Sequence, residues 1–182
     1  MDLSRKTDGS PPAPAPAVGA DAALISLRPE QRGDAPFLFE VYASTREEEL
    51  ALTHWDAATR RAFLDMQFAA MNRGYAGMFP AGEFSVICEH GQPIGRMVLN
   101  RTAEEIRVVD IALLPPHRNR GIGTLLIRRV CAEAAGAGIP VRLSVLKNNR
   151  AVRCYARLGF HKVGEAGFHD ELEWRAGAVE GW

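Results

Sequence analysis

The residues best suited to chemistry are Arg118-Asn119-Arg120-Gly121-Ile122-Gly123-Thr124. They follow an apolar run from Val108 to Leu114 and a Pro115-Pro116 break, and they precede the helix-like run Leu125 to Cys131. This order predicts a strand, a turn, and a helix opened by glycines. Such a helix start aims several backbone N–H groups and a positive dipole end at one point, which suits a phosphate or pyrophosphate. Gly121 and Gly123 carry no Cβ that would hold a ligand away from the backbone. Arg118 and Arg120 offer charge-assisted hydrogen bonds. The segment is not a Walker loop, because no Gly-Lys-Ser/Thr follows at the required spacing. It also falls short of G-x-G-x-x-G, since position 126 is Leu126, which argues against a dinucleotide fold. A glycine turn before a helix is common on its own, so the assignment needs a second signal.

That signal lies downstream. Val141 to Leu146 alternates like a strand. In the segment Lys147 to Phe160, Asn148 or Asn149 is a candidate N-cap. Ala151, Tyr155 and Leu158 share one helical face, while Arg150, Arg153 and Arg157 share another. Gly159 suits the C-cap, and Phe160 opens a further strand.

Together the two segments resemble the GCN5-related N-acetyltransferase (GNAT) superfamily. Its phosphate-binding signature, Gln/Arg-x-x-Gly-x-Gly/Ala, is met by Arg118, Gly121 and Gly123. Its later Asn-x-x-Ala-x-x-x-Tyr-x-x-x-Gly-Phe pattern is met by Asn148, Ala151, Tyr155, Gly159 and Phe160. The resemblance covers residues 23 to 175. It implies a single-domain α/β fold: a mixed, mostly antiparallel central sheet flanked by helices, with two splayed parallel strands holding the cofactor. Those strands would be the one ending at Leu114 and Val141 to Leu146.

The resemblance also implies acetyl-coenzyme A as co-substrate, with no metal. The turn from Arg118 to Thr124 (Arg118, Asn119, Arg120, Gly121, Ile122, Gly123, Thr124) would hold the pyrophosphate. The edge of Ile111-Ala112-Leu113 would pair with the pantetheine arm like an added strand. An amide there would polarise the thioester carbonyl. Asn148 would bond the pantetheine arm, cap its helix, or do both. A neutral amine would attack directly, and Tyr155 would donate to the departing thiolate. A phenol with a pKa of about 10 still holds its proton at neutral pH. Without the family motifs, Tyr155 reads as a packing residue.

No general base is assigned. Counting back from Arg118, the inward-facing strand positions are Arg107 and Val109, neither of them a base. Glu105 shares their face and could act through water. In a regular strand Asp110 points to the opposite face and is structural. Glu83, His117 and His169 are less constrained, and an amine of modest pKa can arrive neutral. Cys154 adjoins Tyr155 but lacks an activating partner. No paired Cys/His spacing suggests a metal.

In the family the acceptor site draws on the early helices and a late loop, here Glu47 to Met78 and Gly164 to His169. Trp55, Phe68, Tyr75 and Phe79 with Glu47, Glu48 and Glu49 would suit a cationic or aromatic amine. Helical spacing instead assigns Phe63, Phe68 and Met71 to the core, and an acidic run is ordinarily solvated.

The remaining chain must position these groups. With 182 residues, 47% of them apolar, it suits one domain with a sizeable core. Residues 1–21 form a Pro/Ala-rich segment that reads as a disordered tail, leaving 22–182 as the transferase domain. The expected order is strand (from Leu24), two helices (after Asp34 and Asp56), three strands, helix, strand, helix and two strands. His90-Gly91-Gln92-Pro93 marks a hairpin. A formal net charge of zero gives no general affinity for nucleic acid or an anionic membrane. Three cysteines form no disulfide framework and point to a reducing, cytoplasmic compartment. No run approaches the about 20 apolar residues of a membrane span, and no secretory signal is expected.

The function expected is an acetyl-CoA-dependent N-acetyltransferase acting on the primary amine of a small molecule. Two alternatives share the motifs: a protein N-terminal or lysine acetyltransferase, and a non-catalytic acyl-CoA-binding domain. Family members often dimerise, so a homodimer is an open expectation.

Overall fold

The computed structural model describes residues 24–177. The Pro/Ala-rich tail expected over 1–21 lies outside the described residues. A seven-stranded sheet runs in the order β1-β2-β3-β4-β5-β7-β6. Its strands are β1 (Ile25–Pro29), β2 (Glu83–Glu89), β3 (Gln92–Arg101), β4 (Ile106–Leu113), β5 (Val141–Leu146), β6 (His161–Ala166) and β7 (His169–Trp174). The helices are α1 (Ala35–Ser44), a single turn α2 (Glu47–Leu50), α3 (Ala57–Met78), α4 (Ile122–Ala137) and α5 (Ala151–Arg157). Every neighbouring strand pair is antiparallel except β4 and β5. The mixed, mostly antiparallel α/β architecture is therefore the one expected.

Local chemistry accounts for the boundaries. Asp56 caps α3, its Oδ1 accepting the Thr59 amide at 2.7 Å. Asp34 stands before α1 but makes no cap bond; its carboxylate instead takes Arg28 through two hydrogen bonds of 2.7 Å and the Gln31 amide at 2.8 Å. His90 and Gly91 both adopt positive φ (52° and 78°), the conformation of a tight two-residue hairpin turn. Gly138 closes α4 in the left-handed region at φ 69°.

Two apolar layers cover the sheet. On one face, Leu126, Ile127, Val130 and Ala134 of α4 pack with Met97, Leu99, Val108 and Leu143 of the central strands, joined by Tyr155 of α5. Burying each large aliphatic side chain contributes about 1.5–3 kcal/mol. On the other face, Leu38 of α1 meets Val86 and Cys88, and Phe68 of α3 bridges to a cluster of Tyr42, Leu50 and Leu64. Phe63, Phe68 and Met71 pack in that layer.

Candidate active site

The parallel pairing of β4 with β5 is short. It comprises Ile106↔Val141, Arg107↔Arg142 and Val108↔Leu143, and then stops. Beyond it β4 runs on to Leu113 beside β3, while β5 continues to Leu146 beside β7. The two strands therefore diverge and leave facing edges. The Leu114 amide bonds Ile94 O on the β3 side. By strand alternation, the backbone groups of Ile111 and Leu113 then face the gap. No strand pairs with them there; Arg118 takes Leu113 O, and the remaining polar atoms offer what an added extended segment requires.

The divergence coincides with a bulge. On β3, Val98 pairs with Asp110 and the next residue, Leu99, pairs with Val108, so Val109 is an extra residue without a partner. β4 is thus not regular, and the alternation counted along the sequence fails at this point. Arg107 and Asp110 come to one face instead of opposite faces. Asp110, which reads as structural in a regular strand, is delivered to the side covered by α1 and α3.

A pocket of about 90 Å³ opens there. Asp110, Ala112 and Arg96 line its sheet side, Val41 and Tyr42 its α1 side, and Met71 and Tyr75 its α3 side. Burial raises the Asp110 carboxyl above the usual range; Arg96 opposes that shift, and the nearby Glu30 charge adds to it. Asp110 has no ion-pair and no side-chain partner among the described residues; the Ile111 amide hydrogen-bonds its carboxylate. Burial and the Asp110 charge also push the Tyr75 phenol up to about 12. A carboxylate with raised proton affinity and an open pocket before it can accept a proton from a bound ligand. Sequence reasoning missed it because the bulge has no sequence mark, although an acid within Val108-Val109-Asp110-Ile111-Ala112 is an available signal.

The other acids and histidines weighed as bases are engaged elsewhere or lie off the pocket. Glu105 is ion-paired to Arg107 at 2.9 Å and Arg142 at 3.0 Å, at the closed end of the β4–β5 pair. Glu83 bonds Arg101, and His117 meets Glu89 at 2.9 Å. His169 pairs with Leu146 in the β5–β7 ladder.

Leu113 leads through Pro115–His117, a 3-10 turn, into the glycine turn. Asn119 (φ 60°) and Gly121 (φ 81°) adopt left-handed conformations that bend the chain into α4. The first turn of α4 has no side-chain cap, so its N–H groups stay available. A Cβ on Gly121 or Gly123 would meet no protein atom within 4 Å. The protein's own packing thus leaves open space at both glycines. The arginine side chains are turned away from it. Arg118 Nε donates to Leu113 O at 2.8 Å and its Nη2 to Ser44 Oγ at 2.7 Å, fastening the turn to β4 and α1. Arg120 forms a bidentate pair with Glu89, at 3.0 and 2.8 Å. Thr124 Oγ1 lies 3.3 Å from Cys154 Sγ, tying α4 to α5. Ile122, buried, anchors the helix start.

Tyr155 packs edge-on against Phe160, ring centroids 5.5 Å apart, in the α4-side core. Burial, then the Cys154 and Asp110 charges, push its phenol up to about 12. Its hydroxyl has no hydrogen-bond partner among the described residues and is not sealed from solvent. The two asparagines divide their work: Asn149 Oδ1 accepts the Ala151 amide at 2.8 Å, and Asn148 is exposed with its side chain unspent. Among the described residues, no group of three His, Cys, Asp or Glu is arranged to hold a metal ion. No helix among them is long and apolar enough to cross a membrane.

A splayed parallel pair, an anion-ready helix start and a pocket across the strand define a fold for holding a strand-like, phosphate-bearing ligand against a second molecule. The sequence model of the Acetyltransferase (GNAT) family matches residues 38–160, more than half the chain, and the protein belongs to that family. Solved structures share the fold. The PaiA N-acetyltransferase from Thermoplasma acidophilum, in complex with coenzyme A, is 18% identical, with a TM-score of 0.62 over 83% of this chain and 98% of that one. An acetyltransferase from Thermus thermophilus is 19% identical, TM-score 0.56, over 83% and 96%. The Campylobacter jejuni N-acetyltransferase PseH is 15% identical, TM-score 0.52, over 84% and 99%. No curated protein sequence matches the chain.

Proposed function

We propose that the protein transfers an acetyl group from acetyl-coenzyme A directly to the primary amine of a small molecule. The observation that carries this reading is the meeting of two features at one strand: the open edge of β4 at Ile111 and Leu113, and the pocket lined by Asp110 and Ala112, which alternate with them. The coenzyme A bound by the PaiA structure supports the choice of co-substrate.

The chain's residues divide the work as follows. Amides of the Arg118 to Thr124 turn bind the pyrophosphate in the open space beside Gly121 and Gly123. Of the Ile111-Ala112-Leu113 edge, the gap-facing groups of Ile111 and the Leu113 amide take the pantetheine arm as an added strand, and Asn148 bonds it from the turn before α5. When bound, acetyl-coenzyme A supplies an activated thioester. A gap-facing amide of β4 stabilises the charge that develops on its carbonyl oxygen. Asp110 accepts the proton of the attacking amine. Its raised proton affinity suits that task better than an ordinary carboxylate would. Tyr155 stays protonated across the neutral range and donates a hydrogen bond to the leaving sulfur. Three free cysteines suit a reducing cytoplasm.

The pocket favours a small acceptor over a peptide, because its polar groups lie between α1, α3 and the sheet rather than along an exposed groove. The test is release of coenzyme A thiol from acetyl-coenzyme A, with small primary amines in one arm and lysine-containing and free-N-terminal peptides in another. The expected result is turnover with small amines above the peptide arm. Turnover confined to peptides makes the protein a protein acetyltransferase. Saturable acetyl-coenzyme A binding without turnover in either arm makes it an acyl-CoA-binding domain.

A further inference from the structure

We propose that the acceptor is a small amine that also carries an anionic group, a carboxylate or a phosphate, held by Arg96 and Arg46 while its nitrogen lies at Asp110. The proposal rests on the transfer reading above. It names the substrate class of the same pocket.

The pocket wall carries two guanidinium groups and one carboxylate. Arg96 is 4% exposed, on a sheet face where the rings of Phe84 and Tyr75 flank it at 5.7 and 6.0 Å. It spends only Nε, on Glu30 at 2.7 Å. Its Nη1 is sealed from water and has no partner. A buried cation with most of its donors idle is costly unless a ligand takes them. Arg46 repeats the pattern from the other wall: its Nε is buried without a partner, and its Nη1 has only a 3.4 Å contact with the exposed Glu49. The Tyr75 hydroxyl adds an unspent donor, whereas Tyr42 gives its hydroxyl to Gln67 at 2.9 Å. The idle groups are thus mostly donors, which call for an anionic acceptor of hydrogen bonds. The lone carboxylate, Asp110, meets only the Ile111 amide and keeps spare acceptor capacity, which calls for a donor such as an amine.

The register sets the spacing. Arg96 pairs with Ala112 and Val98 with Asp110, so Arg96 and Asp110 are diagonal neighbours on one face. Such neighbours have backbones about 7–8 Å apart. That separation suits one molecule bearing both an amine and an anion, and a pocket of about 90 Å³ admits only a small one. A polycation is disfavoured by the two arginines. Glu47, Glu48 and Glu49, which in sequence suggested a cationic acceptor, are solvent-exposed on α2 and do not line the pocket.

The test compares matched amines that differ in the anion: γ-aminobutyrate with butylamine, phenylalanine with phenethylamine, O-phosphoethanolamine with ethanolamine, and spermidine as the polycation. Thiol release is corrected to equal neutral-amine concentration, and calorimetry measures each amine's binding to the protein saturated with acetyl-coenzyme A. The expected result is a kcat/KM advantage of about ten- to a hundredfold for the anionic member of a pair. Arg46→Gln should erase that advantage through KM, and Arg96→Lys should reduce it where the variant folds. A preference confined to the carboxylate or phosphate pairs identifies the anion. Turnover of butylamine or spermidine equal to or above that of the anionic amines overturns the proposal and leaves acetyl transfer standing. Tight binding of anionic amines without turnover keeps the pocket assignment and removes the transfer reading. The absence of both binding and preference overturns the assignment.

Discussion

Asp110 and Tyr155 lie on opposite faces of the sheet, yet the charge of Asp110 reaches the Tyr155 phenol and adds to the burial and the Cys154 charge that hold its proton. The bulge at Val109 makes this relationship possible. It turns Asp110 toward the pocket between α1, α3 and the sheet and coincides with the opening of the β4 edge. In the proposed reaction, one distortion thereby sets a proton acceptor before the amine and leaves a proton donor behind the sulfur.

Replacing Asp110 by Asn should cut kcat/KM about 10²- to 10⁴-fold while leaving acetyl-coenzyme A affinity within about twofold of wild type. Wild-type kcat/KM should fall as pH drops through the raised Asp110 pKa, and the variant should lack that limb. Stability moves the other way. A carboxyl whose folded pKa is raised contributes stability that is fully present below its unfolded value and is lost as pH rises through its folded value. Asp110→Asn should therefore melt at a higher temperature than wild type at pH 7 to 8, with the difference shrinking toward acid. Paired pH–rate and melting curves check both signs.

Tyr155→Phe should fold like wild type, because the hydroxyl it removes has no partner among the described residues. Its kcat should fall by about a hundredfold. With its phenol at about 12, Tyr155 should cause no loss of wild-type activity up to pH 10. Full turnover by the Phe variant would return Tyr155 to a packing role.

Gly95→Ala should destabilise by about 1–3 kcal/mol, read by denaturant unfolding. Its Cβ would come within 2.3 Å of Ala112 O and 2.8 Å of Leu113 Cδ2. These are the residues whose edge carries the pantetheine assignment, so acetyl-coenzyme A affinity should fall along with stability. Gly91 offers a control, since a Cβ there has open space, although its positive φ still strains the turn.

Much of the architecture was legible because its signals are local. Asp56 before a helix-forming run, the His90-Gly91 turn and Gly138 after α4 each fix a boundary by their own chemistry. The glycine turn was equally legible as backbone, since Gly121 and the open helix start depend on nearby residues alone. Its arginines were not. The partners of Arg118 and Arg120 are Ser44 and Glu89, distant in sequence and set by tertiary packing. The adjacent asparagines stayed ambiguous until the Asn149–Ala151 bond separated them. Asp110 escaped for a different reason: a period of two predicts faces only while the register is unbroken, and Val109 breaks it. The pocket arginines came from loop and strand positions with no shared motif, so only the fold brings them together.

The most direct test of the account is calorimetric titration of acetyl-coenzyme A into the wild-type protein and into Gly123→Glu. The new side chain meets no protein atom at its Cβ, replaces a glycine in the first turn of α4, and puts negative charge at the helix's positive end. Each of these should leave the fold as stable as wild type or more so. The same side chain fills and charges the space assigned to the pyrophosphate. The account predicts saturable one-to-one binding by the wild type and at least a hundredfold loss in a variant that melts no lower. Undiminished binding by Gly123→Glu, or none by the folded wild type, would contradict it.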